Sequence, residues 1–223
     1  GTPVYNLATP SDVPSGAQLT VKDQLLKLDW TINDQHRASL RYAKTEESLP
    51  NFPDFGSRAL SLSSHWYSQD KSIKSVVAQW FADWTPTLST EVKISKRDYA
   101  SEPINRSTLP AIAFDFSGAT PPGVSSLERT LWLGTERSRH FNQLKTETTD
   151  AYFGATWALG EHEMKFGGDL SRNQIFDAFL QDANGQFKFQ CESGLSYSFG
   201  AVNCATATAA TIEAAVLENF RLG

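Results

Sequence analysis

Few residues of this chain are spaced for chemistry, and the first are Glu161, His162 and Glu163. A His-Glu-x-x-His run on a helix aims two imidazoles at one zinc ion, with the glutamate as general base. Here the second imidazole is replaced by Phe166, and the run falls in a stretch that reads as a tight turn. Asp182, Asn184 and Gly185 match part of a calcium loop, without the remaining ligands or the distal glutamate. A turn accounts for them better. His36, His65, His140 and His162 are scattered along the chain. His36 and His162 each open a return strand after a short turn, the place of a solvated turn residue. No G-x-S-x-G, P-loop or dinucleotide-binding glycine motif occurs. The residues therefore predict no enzyme, no metal site and no cofactor.

Cys191 and Cys204 lie 13 residues apart and are the only cysteines. Two thiolates without nearby imidazoles do not complete a zinc site. They form either a local disulfide in an oxidising compartment, which we favour, or two free thiols. A bridged ring of this size contributes about 3 kcal/mol in the loop-closure model.

What remains is binding chemistry, and it falls in stretches that read as long loops. Phe52, Phe55 and Arg58, with Trp66 and Tyr67 close behind, offer stacking and charge. Arg106, Phe114 and Phe116 do the same in a second loop. Arg137, Arg139 and His140 form a basic cluster before a strand. Each of these residue types is more often packed or solvated than bound to a ligand.

The elements that must hold these loops have a period of two. In residues 25–32, Leu26, Leu28, Trp30 and Ile32 share a face, against Lys27, Asp29 and Thr31. In 74–84, Val76, Ala78, Trp80, Ala82 and Trp84 share one. In 149–157, Ala151, Phe153, Ala155 and Trp157 do. The pattern predicts three β-hairpins over 19–172, with strands near ten residues and short turns near 33–35, 86–89 and 159–162. Residues 1–18 read as a loop, 128–134 as a possible further strand, and 173–223 as one long external loop with a short helix possible at 211–220. A Trp closely precedes each short turn: Trp30, Trp84 and Trp157.

Length and composition fit either of two all-β readings. The 223 residues carry a net charge of -5, which excludes nucleic acid as the main partner. The mean hydropathy of -0.36 accompanies no apolar run long enough for a transmembrane helix. An amphipathic strand averages out as mildly polar, so a membrane β-barrel remains open. In a soluble sandwich the apolar face packs inward. In a membrane barrel it meets lipid, and the charged face lines the lumen. Short turns on one side, long loops on the other and a tryptophan girdle favour the barrel. The alternative is a secreted β-sandwich, such as a carbohydrate-binding module using Trp and Tyr as sugar platforms. The only methionine, Met164, is internal, which suggests a processed chain or a piece of a longer one.

Residues 29–47 (DWTINDQHRASLRYAKTEE), 75–99 (SVVAQWFADWTPTLSTEVKISKRDY) and 149–179 (TDAYFGATWALGEHEMKFGGDLSRNQIFDAF) resemble the barrel of TonB-dependent outer-membrane receptors of the Oar-like group. The resemblance covers roughly 20–180. It implies an antiparallel up-and-down transmembrane β-barrel in the outer membrane of a Gram-negative bacterium. Such barrels have roughly 22 strands and contain a plug. Six or seven strands and no plug are visible here, so the chain reads as part of a larger wall. The implied function is uptake of a small molecule, peptide or glycan, energised through TonB. The implied partners are outer-membrane lipid, the TonB complex acting on a plug elsewhere, and the rest of the barrel.

Overall fold

The computed structural model describes residues 17–56, 59–117 and 129–223. In chain order they form β1 (Thr20–Asn33), β2 (His36–Asn51), β3 (Ala59–Ser61), β4 (Tyr67–Thr85), β5 (Leu88–Asn105), β6 (Ala111–Asp115) and β7 (Thr130–Leu133). There follow β8 (Phe141–Leu159), β9 (His162–Leu180), β10 (Gln186–Gln190), β11 (Ser196–Tyr197), β12 (Gly200–Ala201) and α1 (Ala209–Leu222).

Six long strands make one antiparallel sheet in the order β1-β2-β4-β5-β8-β9. Turn chemistry fixes the three tight ends. The Asn33 carboxamide oxygen accepts the backbone N–H of Gln35 and of His36, both at 2.9 Å. Thr85 Oγ1 accepts the Leu88 N–H at 3.0 Å. Gly160 takes φ +61, which glycine adopts without strain. The sheet does not close: among the described residues, the outer edges of β1 and β9 have no partner.

The strands are longer than alternation predicts, 14 to 19 residues rather than near ten. Residues 46–51 continue β2, 99–105 continue β5, and 173–180 continue β9. In 46–51 and 99–105 both faces carry polar side chains, and in 173–180 both carry apolar ones, Phe176 and Leu180 on one and Ile175 and Phe179 on the other, so the period-two signal fades while the ladder persists. Thr45↔Ile73, Glu47↔Lys71 and Asp70↔Glu102 remain paired in register.

Residues 173–223 are also not one loop. The C-terminal segment joins the other long connections in a second sheet, ordered β10-β6-β7-β3, in which β10–β6 and β3–β7 run parallel. The possible strand at 128–134 is β7, and it belongs to this cap rather than to the wall. The helix expected at 211–220 is α1, longer at both ends. Thr208 caps it by accepting the Thr211 N–H at 3.2 Å.

The hydrophobic core lies in the cap. Phe114 of β6 packs with Ile212 and Val216 of α1, and Tyr197 and Val202 pack with Ala215. Gly134 locks two connections together. It takes φ +77, and a Cβ there would drive into the Pro110 carbonyl. Its N–H donates to Ser64 Oγ at 3.0 Å, and its carbonyl lies 3.2 Å from His65 Nδ1.

Candidate functional site

The two faces of the long sheet follow from its register. One lateral row reads Leu28–Leu40–Ala78–Ile94–Ala151–Leu170, and the next reads Trp30–Ala38–Trp80–Val92–Phe153–Gly168. No charge interrupts either row. Their large side chains are exposed: Leu28 58%, Trp30 67% and Leu170 71%. No second layer covers this face among the described residues. A soluble sandwich would bury it, so the structure sets the sandwich reading aside.

The opposite face is charged over the same height. Asp29, Ser39, Gln79, Lys93, Tyr152 and Asp169 form one row. The groups satisfy one another. Arg37 lies 3.8 Å from Asp83, and Lys27 lies 2.8 Å from Asp29. Asp150 accepts Ser95 Oγ at 3.1 Å and Ser171 Oγ at 2.7 Å. A groove of about 540 Å³ runs along this face between Arg37, Glu91, Tyr152, Lys165 and Asp169. The Lys93 ammonium sits 5.6 Å from the centre of the Tyr152 ring. A groove of this mixed polarity suits a polar solute or an ordered water path, not an apolar ligand.

Trp30, Trp84 and Trp157 all stand on the apolar face near the tight turns. Trp84 Nε1 donates to Thr90 Oγ1 at 2.8 Å. His36 stands edge-on to Trp80 at 5.9 Å and to Trp84 at 5.2 Å.

The loop candidates separate into two groups. Trp66, 2% exposed, is the centre of the first connection. Phe52 and Phe55 meet it edge-on at 4.9 and 6.0 Å, the Arg106 guanidinium lies 5.7 Å from its centre, and its Nε1 donates to Ser61 Oγ at 2.9 Å. Its ring is thus occupied by the protein itself. Phe114 and Phe116 likewise stack within the cap. Tyr67 is half-buried, with the Arg139 guanidinium 5.2 Å over its ring. Arg137 pairs with Asp182 at 2.9 Å, which turns the partial calcium motif into an ion-paired turn with Asp182 at φ +53. Arg58 lies outside the described residues. His140 bridges two segments: Nδ1 accepts the Asn184 N–H at 3.0 Å, and Nε2 faces the Thr135 carbonyl at 3.2 Å. Cys191 and Cys204 form a disulfide, with Cα atoms 5.9 Å apart. Among the described residues, no three metal-ligating side chains converge.

Sequence reasoning missed His65. It is 2% exposed and lies face to face with Trp132 at 5.5 Å, and its Nε2 is 3.2 Å from Asp54 Oδ2. A lone histidine in a Ser-rich stretch gives no local signal. Its partners come from 11 and 69 residues away.

Burial shapes the charges of the cap. Burial alone would raise the Asp115 carboxyl, but the Lys188 ammonium at 2.7 Å and the Ser117 donors outweigh it and hold the group below the ordinary carboxylate range. Glu218 is lowered by the Ser198 hydroxyl at 2.6 Å and the Ser198 N–H at 2.7 Å. These pairs clamp β10 to β6, and α1 to the segment after β11.

Comparison with known proteins agrees with this geometry. A family model described as an outer membrane beta barrel domain matches residues 6–222. No curated protein and no solved structure matches the chain. The match spans nearly the whole chain, the open sheet presents one apolar and one charged face, and no helix is long and apolar enough to cross a membrane. This chain therefore belongs to the outer membrane beta barrel domain family and is a protein of the bacterial outer membrane.

Proposed function

We propose that these six strands are a wall section of a TonB-dependent receptor that takes up a substrate across the outer membrane. The observation that carries this reading is the open sheet. Six strands are too few to enclose a lumen, and an edge left in lipid costs several kcal/mol per unpaired group. The unpartnered edges of β1 and β9 therefore call for further strands of the same barrel. The barrels of the receptors that the chain resembles, with roughly 22 strands, have a plugged lumen, and the energised step acts on that plug. The resemblance to Oar-like receptors supports the same assignment. The folded cap at the loop end supports a substrate-selecting role there, with Tyr67, Arg139, Phe52, Phe55 and Arg137 in or near it. The cap's own aromatic core, rather than a free Trp66, would then hold the binding loops in place.

The test uses the full-length protein in cells. A Ser171→Cys variant places a thiol on the charged face, and the native cysteines do not compete because they are bridged. Labelling by a membrane-impermeant maleimide should depend on the proton-motive force and on TonB. Identical labelling in cells with and without TonB contradicts energised uptake and leaves a passive barrel.

A further inference from the structure

Four connections of the cap meet at Gly134 and Thr135, the pair that leaves β7. The Gly134 N–H donates to Ser64 Oγ, between β3 and β4, at 3.0 Å. The Thr135 N–H and Oγ1 donate to the Leu109 and Ser107 carbonyls, between β5 and β6, at 3.2 and 2.7 Å. Thr135 is 1% exposed. The carbonyls of the pair remain, and a histidine takes each. His65 Nδ1 lies 3.2 Å from the Gly134 carbonyl, and His140 Nε2 lies 3.2 Å from the Thr135 carbonyl. Through His140 Nδ1, the Asn184 N–H of the β9–β10 turn joins the same hub at 3.0 Å.

The two imidazoles make opposite demands on protonation. A carbonyl only accepts, so the ring nitrogen facing it must carry a hydrogen. At His140 the other nitrogen accepts the Asn184 N–H, so a neutral ring serves both bonds. A charged ring has no lone pair left for Asn184. At His65 the other nitrogen faces Asp54 Oδ2 at 3.2 Å, and a carboxylate also only accepts. A neutral ring serves one of these two acceptors; the imidazolium serves both, against the face of Trp132. Neighbouring charges leave the contrast intact. Beside His140, Arg137 pairs with Asp182 and Arg139 with Glu136. Among the described residues, Asp54 is the charged group bonded to His65, and the nearby Arg106 guanidinium lies on Trp66. We propose that this hub is a pH-sensitive latch, which holds the connections of the cap together near neutral pH and loosens them on either side. His65 supports the hub when protonated, and that support is lost as pH rises. His140 supports it when neutral, and that support is lost as pH falls. Both changes fall within roughly pH 5–8, where histidine alone among unperturbed side chains titrates. The connections so released carry Phe52, Phe55, Arg137 and Arg139, so the latch sets how firmly the candidate binding loops are held.

Amide exchange at Gly134, Thr135 and Asn184 reads the latch in the full-length protein in detergent, from about pH 5 to about pH 8. Protection, taken relative to intrinsic exchange at each pH, should peak near about pH 6.5 and fall roughly tenfold toward each end. D54N keeps a residue type that tolerates the φ of +55 at this position. Its carboxamide can donate to the His65 Nε2 lone pair, so a neutral ring is served on both sides. The alkaline fall should vanish and the acid fall remain. H140Q offers an acceptor and a donor without a titrating charge, so the acid fall should vanish and the alkaline fall remain. A parent protein with flat protection across the range overturns the proposal, as does either variant that keeps the fall assigned to its residue. Should a variant fail to fold, nitrogen-15 spectra of the parent's histidines at neutral pH decide. His65 must then be an imidazolium and His140 neutral with its hydrogen on Nε2, and any other pair of states overturns the latch. Exchange is read without transport, so its failure leaves uptake standing, and the converse holds.

Discussion

At the scale of single residues, the cap depends on a few groups with several jobs. Trp66 supplies apolar bulk and places its one donor on Ser61 Oγ, which in turn donates to the Pro53 carbonyl at 2.7 Å. Asp115 closes β6 onto β10 through Lys188. Its lowered carboxyl gives the sign of the pH effect. A group held below its unfolded range stabilises above that range and loses this contribution as pH falls through the folded value, below about 4. Protection of the β6 and β10 amides, taken relative to intrinsic exchange at each pH, should therefore fall between pH 6 and pH 3, and D115N should remove most of that acid dependence while lowering protection at pH 6. Protection that is the same at both pH values in the parent protein would contradict the clamp.

At the scale of elements, the two halves of each strand were unequally legible in the sequence. Residues 25–32, 74–84 and 149–157 alternate cleanly because lipid and lumen ask for opposite side chains there. Residues 44–48 read Lys-Thr-Glu-Glu-Ser, with no alternation, because both faces meet polar surroundings above the band. That part of β2 is held by its neighbours, as in the Lys71–Glu47 pair at 2.8 Å. The cap was illegible for another reason: its strands are two to five residues long and come from connections far apart in sequence. Phe114, Phe189 and Phe220 read as loop or helix residues, yet stack together. The faces give a direct mutational contrast. A78R puts a guanidinium in lipid and should cost roughly 2–4 kcal/mol near the midplane. K93Q, on the charged face, should be nearly silent. Unfolding in urea from reconstituted vesicles measures both, and a silent A78R would contradict the assignment of faces.

At the scale of the whole molecule, the account is of a wall with two zones. A strand of 19 residues extends to about 60 Å, while a tilted membrane crossing takes about 9–11 residues. The lower zone is apolar outside and charged inside. The upper zone carries charge outward, meets headgroups at its base and holds the folded cap at its top. The most direct measurement is a spin-label scan along β4 in the full-length protein in bilayers, reading collision with oxygen against a water-soluble nickel chelate. The account predicts oxygen access at positions 76, 78 and 80, chelate access at 75, 77 and 79, and chelate access at 70, 72 and 74 beyond the band. Chelate contact at 76, 78 and 80 with shielding at 75, 77 and 79 would contradict it.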